Sequence, residues 1–470
     1  MGDDGPRADA PASPAAVRPY EARLHRLATR APQGRAAWAA ATLLYLVLMA
    51  PYLAVRFASS PRQWFIDLVV YRDAGRAVLN GAHTLYTFTS VPVDLPFTYP
   101  PFAALLTPWL AWLPPLADVL IWTAAEMAAI GWLTAVAFRP LLARTGPGRP
   151  YLLAALAAAA TWLNPVRDVI KFGQVDLFLV VMVVADLTLA RPRWPRGLLI
   201  GLAAAVKLTP ALFIPYLWLT GRRKAAYVAT AAFAGAELLA QAVIPYGSGD
   251  YWTRAATASD RLGSNAGASN QSIRGILLRL HVDAHLTTAL WLVLALVVLV
   301  LGMRRAVRVH AQGDELTAAV LVGLLSFALS PVSWIHHLCW VLLAIALVAG
   351  DLTDPRRARW AAYLTLFFVL RLPWYGSTLA LHHGVLYPAH LLQDAFGLAA
   401  MGLLFWLPTR GLSSIEAASK AGRGDEASLS GDRSNVVLAR PEHPALDSIQ
   451  PAPTSKDRNA AGTDLGTGAS

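Results

Sequence analysis

Long runs of apolar residues constrain the fold of this chain more than any other feature. The runs 36–58, 116–138, 225–244 and 286–303 each come close to the roughly 20 residues that an α-helix needs to cross a bilayer. A segment in lipid must satisfy its backbone hydrogen bonds internally, and a helix does this within itself. We therefore predict an all-α, polytopic transmembrane helical protein with about 10–13 membrane segments, partial and re-entrant helices included.

The composition agrees with a membrane protein and argues against several other classes. Hydrophobic residues make up 56% of the chain, charged residues make up 15%, and the mean hydropathy is +0.45. The net charge of +11 comes from arginines in short loops between the apolar runs, so we assign it to membrane topology and expect no nucleic acid partner. Cys339 is the single cysteine, which excludes disulfides, zinc clusters and thiol catalysis within one chain.

The distribution of arginines predicts which side of the membrane each loop occupies. Residues 1–35 are basic and are placed in the cytoplasm, so the loop after the first span, which holds Asp67, lies outside. Residues 36–408 form the predicted transmembrane domain, in which the later arginine-rich loops return to the cytoplasm. Residues 409–470 are polar and lack apolar periodicity, and they are predicted to be a disordered cytoplasmic tail. The protein is therefore expected to be multi-pass in a bacterial plasma membrane, surrounded by membrane lipids.

Some apolar stretches are interrupted. Residues 100–113 contain three prolines and are predicted to be a partial helix. Residues 197–219 have basic flanks on both sides and are interrupted by Lys207-Leu208-Thr209-Pro210, which favours a re-entrant pair of half-helices. Residues 164–174 are predicted to be an outward-facing polar break, and residues 388–407 a last span.

In this topology, polar residues from four distant segments meet on the outer side of the membrane. The segments are Asp67, residues 167–174, Asn270-Gln271 and His336-His337. A local role is the alternative for each one, for example a pairing of Asp67 with Arg72 or Arg76. Four such segments on one side point instead to a shared site. A carboxylate can take a proton, cations and imidazoles can bind phosphate, and amides can bind hydroxyl groups.

The motifs that carry these residues resemble glycosyltransferase family 87, a group of membrane enzymes in the GT-C superfamily. The motifs are Asp67 with Val70-Tyr71, Phe97-Thr98-Tyr99-Pro100-Pro101, Gly173-Gln174-Val175-Asp176, Lys207-Leu208-Thr209-Pro210, Asn270-Gln271-Ser272 and Pro331-Val332-Ser333-Trp334-Ile335-His336-His337. Each motif alone is weak, but their common order is fairly specific, and the resemblance covers roughly residues 36–407.

The resemblance implies a GT-C-type fold and a sugar transfer on the external face of the membrane. The expected donor is a polyprenyl-phosphate sugar, most often mannose, and the expected acceptor is a lipid-linked glycan such as a phosphatidylinositol mannoside. Some relatives transfer arabinofuranose, so that sugar is the alternative.

The resemblance and the residue chemistry together assign roles to individual side chains. Asp67 is predicted to be the general base that deprotonates the acceptor hydroxyl as it attacks the anomeric carbon with inversion. His336 and His337 are predicted to stabilise the leaving phosphate. Further candidates to bind the donor phosphate are Arg167, Lys171 and Lys207. Candidates to bind the sugar or the acceptor are Tyr71, Tyr99, Gln174, Asn270, Gln271 and Trp334. For Lys207 the alternative is a bond to the backbone carbonyls that Pro210 leaves free.

No cofactor and no metal site is predicted, because external carboxylates are sparse and the histidines have no close acidic partner in sequence. The competing class is a polytopic transporter of lipids or solutes, which is expected to show an internal repeat with polar residues near the membrane midplane. No obvious repeat is present in the sequence. A catalytically inactive relative that scaffolds an envelope assembly is a third possibility.

Overall fold

The computed structural model describes residues 34–58, 65–91, 94–258, 261, 263, 265–383 and 387–409, without the side chains of residue 56 and of residues 381–387. Nearly all of the predicted N-terminal segment and C-terminal tail lies outside these residues, so both remain predictions. His382 and His383, which the sequence places outside the membrane, have no described side chains.

The first half of the described chain is helical apart from one short hairpin. Its helices are α1 (Gly34–Ala58), α2 (Ile66–Leu79), α3 (Pro101–Leu105), α4 (Pro108–Trp112), α5 (Pro115–Ala137), α6 (Arg139–Leu142), α7 (Arg149–Thr161), α8 (Asn164–Phe172), α9 (Asp176–Thr188), α10 (Leu198–Val206) and α11 (Phe213–Leu219). The antiparallel hairpin consists of β1 (Thr89–Ser90) and β2 (Leu95–Pro96).

The second half of the described chain is also built from helices. They are α12 (Arg223–Val243), α13 (Pro245–Thr253), α14 (Ile273–Arg279), α15 (Ala284–Ala311), α16 (Glu315–Leu329), α17 (Val341–Ala349), α18 (Pro355–Val369), α19 (Leu372–His383), α20 (Tyr387–Gln393) and α21 (Ala395–Trp406). Short 3₁₀ helices occupy Gly146–Gly148, Thr209–Leu212, Ala255–Thr257 and Ile335–Trp340.

Within the described residues, four helices are long and apolar enough to cross a membrane: α1, α5, α12 and α15. They coincide with the four long apolar runs of the sequence, and the prediction of an all-α polytopic membrane protein is confirmed. Helix α15 exposes Leu292, Val293 and Leu296, which suits contact with lipid chains. The number of crossings stays a prediction.

Several predicted segments are broken in the structure. The 197–219 stretch is interrupted at Lys207, whose backbone is extended between α10 and the 3₁₀ helix that leads into α11. The 388–407 stretch, predicted as one span, consists of α20 and α21 with Asp394 between them. The predicted polar break at 164–174 is mostly a short helix, α8, and Gly173 ends it in the left-handed conformation.

Two apolar clusters hold the helices together. The larger one includes α16 and α17, which are buried along almost their whole length. A Cβ atom on Gly323 would lie 2.3 Å from the Trp340 ring, so this close packing requires glycine. The smaller cluster is aromatic and surrounds α2 and the hairpin, with Tyr71, Phe97 and Tyr99 among its members. Residues of both clusters line one cavity.

Candidate active site

A cavity of about 770 Å³ brings together most of the segments that the sequence predicted to meet. Its wall includes Asp67, Tyr99, Gln174, Lys207, Trp334, His336 and His337. This volume is within the range of sites that bind small molecules. Of the four segments expected to converge, the cavity wall includes Asp67, residues of the 167–174 segment and the histidine pair, whereas Asn270 and Gln271 are not part of it.

The beginning of α2 is fixed by contacts with the end of α8. Phe65 adopts the left-handed conformation at φ 51°, and its N–H donates to the carbonyl of Lys171 at 3.1 Å. Gly173 has φ +70°, and a Cβ atom at this position would lie 2.9 Å from Cβ of Leu68. Glycine is thus required where α8 meets α2. This contact places Gln174 beside Asp67, although the two residues are distant in sequence.

Asp67 lies in the first turn of α2, next to a network of tyrosines and an amide. The hydroxyls of Tyr71 and Tyr99 lie 2.8 Å apart, and they lie 3.1 and 2.8 Å from Oε1 of Gln174, so their two protons are shared among three contacts. The Gln174 side chain is also hydrogen-bonded to the Asp67 carboxylate. Burial raises the pKa of Asp67 to about 7, against the lowering effects of this hydrogen bond and of the Lys207 charge. A carboxylate tuned in this way suits general base catalysis near neutral pH.

The two arginines close to Asp67 in sequence have other partners. Arg72 forms an ion pair with Asp118 of α5, and Arg76 pairs with Asp73 at 2.8 Å. The local alternative, in which Asp67 is neutralised by Arg72 or Arg76, is therefore not what the structure shows.

Lys207 reaches the cavity from the break after α10. Its Nζ donates to Oδ1 of Asp176 at 2.8 Å and lies 5.5 Å from the ring centroid of Tyr99. Both side chains of this ion pair are about nine-tenths buried. The alternative role for Lys207, bonding to free carbonyls near Pro210, does not account for this carboxylate partner. The ion pair fixes the Lys207 side chain at the cavity wall.

The histidine pair follows Trp334 in a 3₁₀ helix. The two imidazole rings lie 4.6 Å apart at a steep angle, and His336 packs edge-on against Phe172 at 5.8 Å. Nε2 of His336 and Nδ1 of His337 are buried, and neither has a hydrogen-bond partner among the described residues. Polar atoms of this kind are uncommon in proteins and are frequent at sites that bind a ligand.

Two loops that carry predicted motifs are joined to each other. Asn270 pairs with Trp334 in an isolated β-bridge, and its Oδ1 accepts from the N–H of Ser333 at 2.9 Å. Gln271 donates from Nε2 to the carbonyl of Gln393 at 2.7 Å and accepts from the N–H of Gly397 at 2.8 Å. Both amides are fully buried and do not belong to the described cavity wall. Their geometry supports a role in holding the loops rather than the expected contact with the acceptor.

Two predicted phosphate ligands also lie away from the described cavity wall. Arg167 donates to the side chain of Asn164 within α8. Lys171 is in the last turn of the same helix, with Nζ 4.8 Å from the ring centroid of Phe172. Phe172 itself lines the cavity, but neither Arg167 nor Lys171 belongs to the described wall.

The structure adds residues that the sequence interpretation did not assign. Asp176 stands in the recognised Gly-Gln-Val-Asp motif but was not given a role, and it is the partner of Lys207. Arg261 and Arg274 line the cavity, and Nη2 of Arg261 donates to the carbonyl of Tyr86 at 2.5 Å. Arg261 lies between α13 and α14, and Arg274 lies in α14; their positive charge was the available signal.

One group of side chains has the composition of a metal site. Asp176, His336 and His337 each offer a ligand atom, and these atoms lie within 4.8 Å of one another. Two imidazoles and a carboxylate are a familiar set for zinc. Tetrahedral ligands at 2.0–2.2 Å from zinc lie only about 3.4 Å apart, however. The Lys207 ammonium already pairs with the Asp176 carboxylate, so no metal ion is needed to balance the negative charge of Asp176.

Comparison with known proteins identifies the family of the chain. The sequence model of glycosyltransferase family 87 matches residues 97–331. A Mycobacterium tuberculosis protein named polyprenol-phosphate-mannose-dependent alpha-(1-2)-phosphatidylinositol mannoside mannosyltransferase is 37% identical over 340 residues, which cover 69% of this chain and 78% of the relative. A Mycolicibacterium smegmatis protein of the same name is 36% identical over 68% of this chain and 77% of its own length.

A further relative differs in its named acceptor. The polyprenol-phosphate-mannose-dependent alpha-(1-2)-phosphatidylinositol pentamannoside mannosyltransferase of Mycolicibacterium smegmatis is 33% identical over 76% of this chain and 84% of its own length. No solved structure matches the chain. The prediction of a membrane glycosyltransferase, rather than a transporter, is confirmed. The chain belongs to glycosyltransferase family 87.

Proposed function

We propose that the protein transfers mannose from a polyprenyl phosphate to a lipid-linked glycan of the phosphatidylinositol mannoside type, with inversion, on the external face of the plasma membrane. The observation that carries this proposal is one cavity that holds a carboxylate of raised pKa, Asp67, together with the buried cation Lys207 and two imidazoles. The donor and acceptor named for the relatives support the same substrates.

In the proposed reaction Asp67 acts on the acceptor. The acceptor oxygen attacks the anomeric carbon while its proton passes to the Asp67 carboxylate. The bond between the anomeric carbon and the phosphate oxygen breaks, and polyprenyl phosphate leaves with the electron pair. Since a sugar hydroxyl is far too weak an acid to ionise at neutral pH, removal of its proton must accompany the attack.

Lys207 is the group best placed to stabilise the leaving phosphate. The phosphate gains negative charge as the bond breaks, and a fixed ammonium inside a partly buried site stabilises that charge strongly. Asp176 holds the ammonium at the wall, and His336 is the neighbouring candidate to donate a hydrogen bond.

The remaining charge of the cavity suits an anionic acceptor. Among the described residues of its wall, the carboxylates are Asp67 and Asp168, whereas Arg261 and Arg274 add two guanidinium groups. A guanidinium binds phosphate oxygens in a fork geometry. We infer that these arginines bind the phosphodiester that joins inositol to the lipid, and that Trp334 stacks on an acceptor sugar.

The proposal can be tested with purified protein in lipid nanodiscs. Labelled polyprenyl-phosphate mannose is offered with a phosphatidylinositol mannoside or with an uncharged alkyl mannoside as the acceptor. Transfer of mannose is expected, and an arabinofuranosyl donor in its place should give no product. Transfer of arabinofuranose alone would contradict the proposal that the sugar is mannose, but not the assignment to glycosyltransferase family 87.

The acceptor site can be tested in the same assay. Arg274→Gln should raise the KM for the anionic acceptor about tenfold and leave the KM for the alkyl mannoside unchanged. The control is Arg254→Gln, because Arg254 is exposed, pairs with Asp250 and lies outside the described cavity wall. An equal change for both acceptors would show that Arg274 does not bind the phosphodiester.

A further inference from the structure

Three polar side chains converge beside the cavity: Asp176 and His336 are buried, and His337 is half-buried. Asp176 uses Oδ1 for the ion pair with Lys207, whereas its Oδ2 is buried and has no hydrogen-bond partner among the described residues. Nε2 of His336 and Nδ1 of His337 are also buried and have no hydrogen-bond partner among the described residues. Each of the three side chains offers an atom that could bind a metal, and these atoms lie within 4.8 Å of one another. Buried polar atoms without a hydrogen-bond partner are costly, so a molecule that bridges the carboxylate and a ring nitrogen would stabilise this group.

A small void lies at this point. It has a volume of about 30 Å³, and its wall includes Asp176, Ser333 and His337. About 10–15 Å³ is enough for one water molecule, provided that polar partners surround it. The hydroxyl of Ser333 already donates to the carbonyl of Phe327 at 2.6 Å. The hydroxyl of Ser326 donates to the carbonyl of Gly323 at 2.8 Å. Within the described part of the wall, Asp176 and His337 are the residues with a buried side-chain atom that has no hydrogen-bond partner.

His337 lines both the small void and the main cavity. It lines this void together with Asp176, and it also lines the main cavity, whereas Asp176 does not. Because Nδ1 is the buried nitrogen without a partner, Nε2 is the nitrogen that faces the cavity. His336 lines the cavity only. Of the two histidines, His337 is thus the one that connects Asp176 with the substrate.

We propose that Asp176 is a positioning residue that holds His337 as the neutral tautomer with its proton on Nδ1, so that Nε2 accepts a hydrogen bond from a hydroxyl of the sugar being transferred. A water molecule in the void relays the bond: Nδ1–H donates to the water, and the water donates to Oδ2 of Asp176. A carboxylate orients the N–H of an imidazole toward itself, as in catalytic triads. A second positive charge beside Lys207 would be repelled, which favours the neutral ring.

This inference rests on the proposed function and assigns a sharper role within it. The phosphate of the donor is left to Lys207, and His337 becomes a determinant of which sugar is accepted. In the Nδ1–H tautomer, Nε2 of His337 carries a lone pair and no proton, so it cannot donate a hydrogen bond to phosphate oxygens. The tautomer of His337 therefore decides whether this residue binds a sugar hydroxyl or the phosphate.

The first test is spectroscopic and does not depend on turnover. Selective ¹⁵N labelling of histidine, with the His337 signal assigned by its loss in His337→Leu, shows which ring nitrogen carries the proton. The Nδ1–H tautomer is expected in the wild type, and Asp176→Asn should shift the equilibrium away from it. The Nε2–H tautomer or an imidazolium in the wild type at neutral pH would overturn the proposal.

The control for this measurement is another buried aspartate of the same helix. Asp186 accepts from the N–H groups of Gly197 and Ile200 at 3.0 and 3.1 Å. Asp186→Asn removes a buried charge from α9 without touching the void, so it should alter stability and leave the His337 signal unchanged. A matching shift in the Asp186→Asn spectrum would mean that the signal reports disturbance of α9 rather than Asp176.

The second test uses mannose donors that lack one hydroxyl at a time. Asp176→Asn should lower turnover by about tenfold to a hundredfold, as is usual for a partner that orients a functional histidine. In the His337→Leu background the same change should cost clearly less, because only the loss of the ion pair with Lys207 then remains. The wild type should transfer one deoxy donor more slowly than the complete mannose donor. The His337→Leu variant should transfer that deoxy donor no more slowly than the wild type does.

These results separate the proposal from its rival, in which Asp176 only neutralises Lys207. In that case Asp176→Asn would keep its full effect in the His337→Leu background and lose it in the Lys207→Met background. If the protein transfers no sugar at all, the proposed function fails, and the tautomer measurement still decides the role of Asp176.

Discussion

Replacing Asp67 with asparagine tests the assignment of the general base most directly. Asparagine has nearly the same shape and can still bond to Gln174, but it cannot accept the proton of the acceptor hydroxyl. A positioned base contributes about 10²- to 10⁴-fold to a rate, which is roughly 2.7–5.5 kcal/mol of barrier. We therefore expect Asp67→Asn to lose at least a hundredfold in turnover while donor binding is retained.

The raised pKa gives this prediction a pH dependence. With a pKa of about 7, Asp67 is half ionised at pH 7, and about 1% ionised at pH 5. Since only the carboxylate can act as base, kcat/KM should rise about a hundredfold from pH 5 to a plateau above about pH 8. An unperturbed aspartate, with a pKa of about 3.9, would give a flat profile over this range.

The assay is the initial rate of mannose transfer between pH 5 and 9, with donor binding measured separately at equilibrium. Asp73→Asn is the matched control, because Asp73 lies on the same helix and pairs with Arg76 and Ser90. It should keep both the rate and the profile. Near-normal turnover of a folded Asp67→Asn protein, or the same acid limb in this variant, would refute the assignment.

Three further predictions concern the surroundings of the base, the loop scaffold and the topology. Gln174→Leu removes a hydrogen bond that stabilises ionised Asp67, so the acid limb of the pH profile should move to higher pH. Asn270→Ala leaves buried N–H groups without partners and should destabilise the protein by about 1–3 kcal/mol, seen as a lower Tm, with an unchanged acceptor KM. In a cysteine-free background, an impermeant reagent added outside should label a cysteine at exposed Thr87 and not one at exposed Gln312; labelling of both would contradict the proposed external face.

Much of the site was predictable because its residues sit in motifs with distinct chemistry. A carboxylate just after a membrane span, a lysine and proline inside an apolar stretch, and paired histidines are each costly unless they have partners. The structure places Asp67, Lys207, His336 and His337 around one cavity. The break at Lys207 was predictable for the same reason, since Pro210 and a charge cannot continue a lipid-facing helix.

Partnerships between distant residues were not predictable from the sequence. An asparagine or glutamine can bind a sugar hydroxyl or bridge two backbone loops with the same donor and acceptor groups, so Asn270 and Gln271 could not be assigned without coordinates. The pairing of Asp176 with Lys207 spans 31 positions and depends on how α9 packs beside the break after α10. Motif recognition located Asp176, but its role follows only from that packing.

The position of Lys207 between two carboxylates connects the two halves of the proposed reaction. Its charge lowers the pKa of Asp67, whereas the charge of Asp176 raises it. An unpaired ammonium would therefore make Asp67 a weaker base, and an unpaired Asp176 would repel the donor phosphate. As an ion pair they are nearly neutral together, which leaves Asp67 basic before the reaction. When the phosphate gains charge, the ammonium lies in the same cavity and has no need to move. The ion pair thus allows one site to favour proton removal by the base and charge development on the leaving group.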